Sequence, residues 1–343
     1  MQAKRLAQFV VSSLLSLMSA LPQFAHASSA RCGDVWPTVR PVFASTIQYG
    51  NAERKSDPFI TVSIDKKPAR MLLDSGSNRH VIWDPRFVVE GGATNTGGNV
   101  LNAIASSAPA RQRVIELEDT ARRSTTQTIY VIDETPLMAE GFSGIISPQY
   151  LAGGDVSVMD FRDDCFLVSR RFEPEVVGWI RVVDGSALPN IHHVMAIPVG
   201  FKGARIPMVV DSGAYTTTLP LPMINGEAVG KARHRSVDLF GREIESDDHT
   251  RLVDFTINGQ TISRHPVASQ TVPREGGVAS LGAIGMDVLR NRIVFHDNER
   301  HRFALLVPWT EVNAGSEQIK PPTSPPQPYP ETGTDARHPS TRR

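Results

Sequence analysis

The chain is poor in cysteine and has no excess of charge of either sign. Only Cys32 and Cys165 occur among its 343 residues, which excludes a disulfide-dense scaffold. The 36 Lys and Arg residues balance the 36 Asp and Glu residues. A net charge of zero argues against a nucleic-acid partner and against attraction to an anionic membrane surface.

Several motifs that carry chemistry are also missing. The sequence has neither a Gly-rich phosphate-binding loop nor the Gly-x-Ser-x-Gly turn of many serine hydrolases. Its histidines, including the adjacent pair His192 and His193, lack Cys or carboxylate residues at metal-ligand spacing. We therefore expect neither a metal nor any other cofactor.

The one marked apolar run, from Phe9 to Leu21, stands at the N-terminus behind Lys4 and Arg5. It is too short to span a bilayer comfortably, which disfavours the alternative of a membrane anchor. Ala25-His26-Ala27 offers small residues at the two positions that a signal peptidase reads. We predict a signal peptide over 1–27, export to the periplasm or the exterior, and no stable membrane insertion after cleavage.

The two cysteines both remain after that cleavage. In an exported protein such a pair predicts a disulfide, here between Cys32 near the mature N-terminus and Cys165. Lipid modification of Cys32 is the alternative, but Ser29-Ala30-Arg31 before it matches a lipoprotein signal poorly.

What the sequence does contain is an internal repeat. Asp-Ser-Gly occurs at 74–76 and again at 211–213, each time directly after an apolar run. A single copy would indicate only a turn after a strand. Apolar residues alternate before both copies, namely Ile60, Val62 and Ile64 before the first and Ile197, Val199 and Phe201 before the second.

The repeat extends on both sides of the motif. It predicts a hairpin turn at 65–68 and another at 201–204. Downstream, 144–151 falls on 282–289 with one residue inserted. Two related half-domains are therefore expected, and the pseudo-twofold axis between them is where equivalent residues can meet.

The residues expected to meet are Asp74 and Asp211. Two carboxylates within hydrogen-bonding distance cannot both ionise cheaply, so they share one proton. The ionised member can take a proton from water while the protonated member donates to a peptide carbonyl oxygen.

A strand, Asp-Ser-Gly, a later apolar-apolar-Gly segment and a short helix ending in Leu together resemble the aspartic protease family, specifically its retropepsin-like branch. The resemblance spans roughly 55–308 and is close at 283–289. It implies an all-β fold of two β-barrel lobes in one chain. It also implies that Asp74 and Asp211 are the catalytic pair of an endopeptidase that binds an extended polypeptide.

The resemblance also assigns roles to the neighbours of that pair. Ser75 and Ser212 are expected to bond across the twofold axis and lock the two loops together. Gly76 and Gly213 are expected to allow the tight backbone turn.

The residues that follow these glycines differ between the two halves. They are Ser77 in the first half and Ala214 in the second. A bond from the Ser77 hydroxyl to a carboxylate would favour its ionised form, so we expect Asp74 to be the more acidic member of the pair.

The first half departs from the family pattern in two respects. Ser147 stands where Gly285 stands in the second half, and it is expected to disturb the packing beneath the Asp74 loop. No Tyr occupies the position of a pepsin-like flap residue, so a Gly-rich flap around 96–99 is expected instead. The alternative function is a catalytically silent relative that binds peptides or partner proteins in the same cleft.

The expected organisation is a single chain acting as a monomer. Its segments are a signal peptide at 1–27, an N-terminal lobe at 28–172, a linker at 173–193, a C-terminal lobe at 194–312 and a Pro-rich extended tail at 313–343. Strands are predicted at 127–132 and 251–257, the second leading into an Asn258-Gly259 hairpin. Self-processing, in which the tail or the mature N-terminus blocks the cleft until it is cut, is a further alternative.

Overall fold

The structure is a computed structural model that describes residues 32, 36, 39–87, 100–103, 106–133, 135–172, 174, 179–181, 185–186, 194–224, 228–231, 238–244, 249–257, 260–269 and 282–308. These residues are all-β, as expected, and their longest helices have five residues. Every helix among them falls short of the length and hydrophobicity needed to cross a membrane. The predicted signal peptide, Gly-rich flap, Asn258-Gly259 turn and Pro-rich tail lie outside the described residues.

Short strands make up most of the described chain. Up to residue 186 they are β1 (Phe43–Thr46), β2 (Gln48–Asn51), β3 (Ser56–Ile64), β4 (Lys67–Leu73), β5 (His80–Ile82), β6 (Val100–Asn102), β7 (Ser107–Pro109), β8 (Arg111–Glu118), β9 (Ser124–Val131), β10 (Gly144–Ile146), β11 (Val156–Asp160), β12 (Cys165–Ser169), β13 (Trp179–Arg181) and β14 (Gly185–Ser186). From residue 196 they are β15 (Ala196–Phe201), β16 (Ala204–Val210), β17 (Thr218–Leu219), β18 (Gly230–Lys231), β19 (His249–Ile257), β20 (Gln260–Ser269), β21 (Ala283–Ile284), β22 (Ile293–Asp297) and β23 (Arg302–Pro308). The α-helices are α1 (Pro148–Ala152) and α2 (Met286–Leu289), and 3₁₀ turns occur at Pro85–Phe87, Pro136–Glu140 and Leu221–Met223.

The strands of each half pair in the same order. In the first half β3, β4, β10, β5, β9 and β8 are successive neighbours, and β8 pairs back with β3 to close a six-stranded barrel. In the second half β15, β16, β21, β17, β20 and β19 follow that order, and β15 pairs with β19 to close the ring. The strand predicted at 251–257 is confirmed as part of β19, and the one predicted at 127–132 falls on β9, which ends one residue earlier at Val131.

The hairpins that precede the two motifs are confirmed, and both use left-handed turn residues. Asp65 and Lys66 have φ of 46° and 68° between β3 and β4, and Lys202 and Gly203 have 48° and 79° between β15 and β16. Two successive residues with positive φ form the turn that matches the right-handed twist of a tight hairpin. The first turn is therefore centred on Asp65 and Lys66, one residue before the centre of the turn predicted at 65–68.

A third sheet joins the two halves. Its strand order is β1, β12, β11, β22, β23 and β13, with β14 also paired to β23. In its centre β11 runs antiparallel to β22, and Val158 lies opposite Phe295, at the same interval of 137 residues that separates Ser75 from Ser212. A strand of the first half thus pairs with the strand at the equivalent position of the repeat.

The segment 173–193, expected to be a linker, contributes to this joint sheet. Its strands β13 and β14 both pair antiparallel with β23. The connection between the halves is therefore held by backbone hydrogen bonds along the edge of the sheet.

The predicted disulfide between Cys32 and Cys165 is present, with an S–S distance of 2.08 Å. Cys165 begins β12 of the joint sheet and is fully buried. Around the bridge, Trp36 packs edge-on against Phe172 at 5.2 Å between ring centroids. The bridge therefore pins the start of the described chain to one face of the joint sheet.

Removal of this bridge by Cys32→Ser with Cys165→Ser is expected to destabilise the fold. The crosslink closes a loop with a sequence separation of 133. Loop-closure entropy predicts a loss of about 4 to 5 kcal/mol in the free energy of unfolding, or about 10 °C in Tm. Urea and thermal denaturation measure both quantities. Reducing agent should move the wild-type midpoint to that of the variant, and a wild-type midpoint that ignores reduction would contradict the expectation.

Candidate functional site

Asp74 and Asp211 each follow directly on a central barrel strand. Asp74 comes after β4 and Asp211 after β16, and each backbone amide continues the parallel pairing of its strand. Asp74 N donates to the carbonyl of Ile146 at 3.0 Å, and Asp211 N donates to that of Ile284 at 2.9 Å. Both residues are half-buried. Rigid strand ends therefore fix the backbone of both carboxylates.

Each carboxylate is held by the amides of its own loop. Asp74 Oδ1 accepts from Gly76 N at 2.8 Å and from Ser77 N at 3.2 Å. Asp211 Oδ1 accepts from Gly213 N at 2.9 Å and from Ala214 N at 3.1 Å. The two loops therefore present their carboxyl groups in equivalent orientations.

The serines of the two motifs lock the loops together, as the family resemblance implies. Ser75 Oγ donates to the carbonyl of Val210 at 2.7 Å and accepts from Ser212 N at 3.0 Å. In return Ser212 Oγ donates to the carbonyl of Leu73 at 2.7 Å and accepts from Ser75 N at 3.0 Å. Both serines are fully buried. Four hydrogen bonds therefore cross between the halves at this point.

The glycines of the two motifs permit the close approach of the carboxylates. A Cβ on Gly76 would lie 2.6 Å from Cγ of Asp211, and one on Gly213 would lie 2.8 Å from Cγ of Asp74. These distances are shorter than any tolerable contact. Each glycine thus makes room for the carboxyl group of the opposite half.

The two carboxyl groups form a coupled acid pair. Burial and then the charge of Asp211 raise the pKa of Asp74 to about 8. Burial also raises the pKa of Asp211. The hydrogen bond between the two groups favours the protonated form of Asp74 and the ionised form of Asp211. The two groups therefore share one proton.

The side-chain contact from which we expected Asp74 to be the more acidic member is not formed. Ser77 Oγ donates to the carbonyl of Arg79 at 2.8 Å, so the carboxylate receives only the backbone amide of Ser77. Ala214 offers the same amide to Asp211. The difference between Ser77 and Ala214 therefore does not stabilise the ionised form of Asp74.

Ser147 does not disturb the first loop. Its hydroxyl caps α1 by accepting from Tyr150 N at 3.3 Å, and its amide donates to His80 Nδ1 at 3.2 Å. Burial lowers the pKa of His80 to about 3, so this ring nitrogen stays free to accept. At the equivalent position a Cβ on Gly285 would lie 2.8 Å from the carbonyl oxygen of Tyr215. Only the second half therefore requires glycine here.

The side chain of Gln149 holds the Asp74 loop from below. Its Nε2 donates to the carbonyls of Ser75 at 3.0 Å and Ser77 at 2.7 Å. The residue is 1% exposed. No sequence pattern singles out Gln149, because a glutamine in an apolar segment has no distinctive spacing.

The Asp211 loop is held by α2 and a carboxylate. Met286 N donates to the carbonyl of Ala214, and Asp287 N donates to that of Tyr215, both at 2.8 Å. The Asp287 carboxylate accepts from Thr217 N at 2.9 Å and from Thr217 Oγ1 at 2.6 Å. Asp287 lies in the segment that resembles the family, but its role as a support follows only from the structure.

The described residues include no group of three or more His, Cys, Asp or Glu side chains arranged to hold a metal ion. His192 and His193 lie outside the described residues. The two carboxyl groups themselves offer acid–base chemistry.

Gly76→Ala is expected to separate the carboxyl pair. The new methyl group would overlap the Asp211 carboxyl group, and overpacking of this kind costs about 1 to 3 kcal/mol. Gly154→Ala is the matched control, because nothing lies within 4 Å of a Cβ at that position. Equal unfolding free energies for the two variants would contradict the close approach.

The shared proton predicts a dependence of stability on pH. The ordinary pKa of Asp is about 3.9, which applies to the unfolded chain, whereas the folded value for Asp74 is about 8. The folded protein therefore binds the proton more tightly, so this stability is complete below about pH 4 and is lost as the pH rises through about 8. The slope for one proton is at most about 1.4 kcal/mol per pH unit.

Asp74→Asn should flatten this profile, and Asp133→Asn should leave it unchanged. Asp133 is the control because its side chain is 82% exposed. Urea unfolding between pH 4 and pH 8 gives the three slopes. Parallel profiles for the wild type and Asp74→Asn would show that the pair does not retain a proton.

Neither a protein-family model nor a curated protein matches the chain.

Proposed function

We propose that the chain is an aspartic endopeptidase in which Asp74 and Asp211 activate a water molecule between them. The observation that carries the proposal is the carboxyl pair itself, which two equivalent loops bring into hydrogen-bonding contact. Isolated carboxylates repel each other, so a fold that holds two together across four hydrogen bonds has a use for them.

The proposed reaction is addition of water followed by cleavage. In the proposed reaction Asp211 is the ionised member and takes a proton from water. The water oxygen then attacks the peptide carbonyl carbon. Asp74 gives its proton to the carbonyl oxygen, which forms a tetrahedral diol. The diol then returns a proton to Asp74, the amide nitrogen is protonated by Asp211, and the C–N bond breaks. Both carboxyl groups end in their starting states.

The proposed architecture is a pair of retropepsin-like lobes in one chain. Two closed barrels with the same strand order support it, as does the antiparallel pairing of β11 with its equivalent β22. Because both carboxylates come from one chain, we propose that the protein acts as a monomer. The substrate would be an extended polypeptide lying between the lobes.

An exported location forms part of the same proposal. The buried disulfide between Cys32 and Cys165 supports it, because such bonds persist in oxidising compartments.

The catalytically silent alternative has lost its motivating feature. It depended on Ser147 as a disruption of the first half, whereas Ser147 caps α1 and leaves the Asp74 loop intact. The carboxyl pair has equivalent backbone support on both sides. Peptide hydrolysis is therefore the function that the geometry supports best.

Cleavage of an unbiased peptide library tests the proposal. Asp211→Asn should lower kcat/KM by at least about a thousandfold, because it removes the base that activates water. A statine-type inhibitor should abolish the wild-type cleavage. The measurement is made by mass spectrometry from pH 3 to pH 7, since the most productive state carries one proton on the pair.

Asp133→Asn is the matched control and should keep wild-type kcat/KM. Cleavage that persists in Asp211→Asn would come from a contaminating peptidase. A folded wild type that cleaves no peptide at any pH would favour the silent alternative.

A further inference from the structure

The support behind Asp211 includes a histidine that the proposed reaction does not use. His265 Nε2 lies 3.1 Å from Asp287 Oδ2, and their side chains are only 15% and 13% exposed. Nε2 is buried, and no aligned hydrogen-bond acceptor serves it among the described residues. The Asp287 carboxylate is therefore the polar group that this nitrogen faces.

A β-bulge turns His265 toward the interior. Along β20, Ile262 faces the core, and plain alternation would next place residue 264 inward. Instead Arg264 is exposed with a φ of 50°, and its amide donates to the carboxylate of Asp254 at 2.6 Å. The phase then shifts, so that His265 and Val267 face inward. Bulges are used in this way to re-aim side chains near functional sites.

Asp287 links His265 to the catalytic loop. Its carboxylate binds both the amide and the hydroxyl of Thr217, and its own amide holds the carbonyl of Tyr215. The preceding amide of α2 holds the carbonyl of Ala214, whose own amide donates to the Asp211 carboxylate. Three contacts therefore connect the imidazole to the reacting group.

In the first half the Asp74 loop is supported from below by a neutral side chain. The β9 ladder of this half has no register shift. Gln127 corresponds to His265, because it lies three residues before Tyr130, the partner of Val81, as His265 lies three residues before Ala268, the partner of Thr218. Gln149 occupies the position of Asp287 and reaches the loop carbonyls with a neutral amide. A carboxylate with a histidine partner is therefore built only behind Asp211.

We propose that His265 is a positioning residue for Asp211, acting by holding Asp287 in place beneath the loop. This inference rests on the proposed function. A carboxylate placed beneath the Asp211 loop without a polar partner on its outer side would either turn toward solvent or add repulsion to the pair. His265 Nε2, 3.1 Å from Asp287 Oδ2, is the polar group that lies on that side of the carboxylate.

His265→Leu tests the role, because it keeps an apolar side chain in the barrel and removes the donor. Amide hydrogen exchange at Gly213 and Ala214 should become about tenfold faster, while exchange at Gly76 and Ser77 keeps its wild-type rate. In the peptide assay kcat should fall about tenfold with KM within about twofold, the pattern of a group that acts on the reacting residue.

His265→Gln should restore part of both properties, because its amide provides a donor where the first half has Gln127. Gln127→Leu is the matched control, and it should leave exchange at Gly213 and Ala214 unchanged. Faster exchange in both loops of His265→Leu, or in neither, would overturn the proposal. The exchange measurement needs no substrate, so failure of the wild type to cleave peptides would reject the proposed function while the exchange result still decides the role of His265.

Discussion

The reciprocal bonds between Ser75 and Ser212 are the interaction on which the site depends. Two carboxyl groups placed on separate half-domains repel each other when ionised, and the halves would relax apart unless something held them. Each serine satisfies a buried carbonyl and a buried amide of the opposite loop. Losing one hydroxyl leaves these groups unpaired, so the lock is favourable only when both sides are complete. The proximity of Asp74 and Asp211 is the outcome.

The site is held by structure well beyond its own loops. The joint sheet links the halves on one side, and the bridge between Cys32 and Cys165 fastens the chain start to that sheet. The pKa values of both aspartates are raised, so keeping them close lowers the free energy of unfolding at neutral pH. The closed barrels on either side hold the two carboxyl groups together against their mutual repulsion, so the interface between the halves stays closed.

Much of this arrangement could be predicted from sequence because the repeat is visible in it. The family resemblance of the doubled Asp-Ser-Gly motif implied the lock, and two cysteines in the whole chain left one possible pairing. The joint sheet could not be predicted, because Val158 and Phe295 are far apart in the sequence and neither segment has a pattern that identifies its partner strand. His265 was hidden for another reason, because the bulge at Arg264 reverses the alternation from which its direction would be read.

The central pairing of β11 with β22 bears on how such a chain could arise. A strand that lies antiparallel to its own equivalent is self-complementary, which is the property of an isologous interface between two identical subunits. Joining two such subunits end to end keeps the interface and removes the requirement that both sides match. Ser147 against Gly285, and Gln127 against His265, are positions where the two halves carry different residues for the same mechanical task.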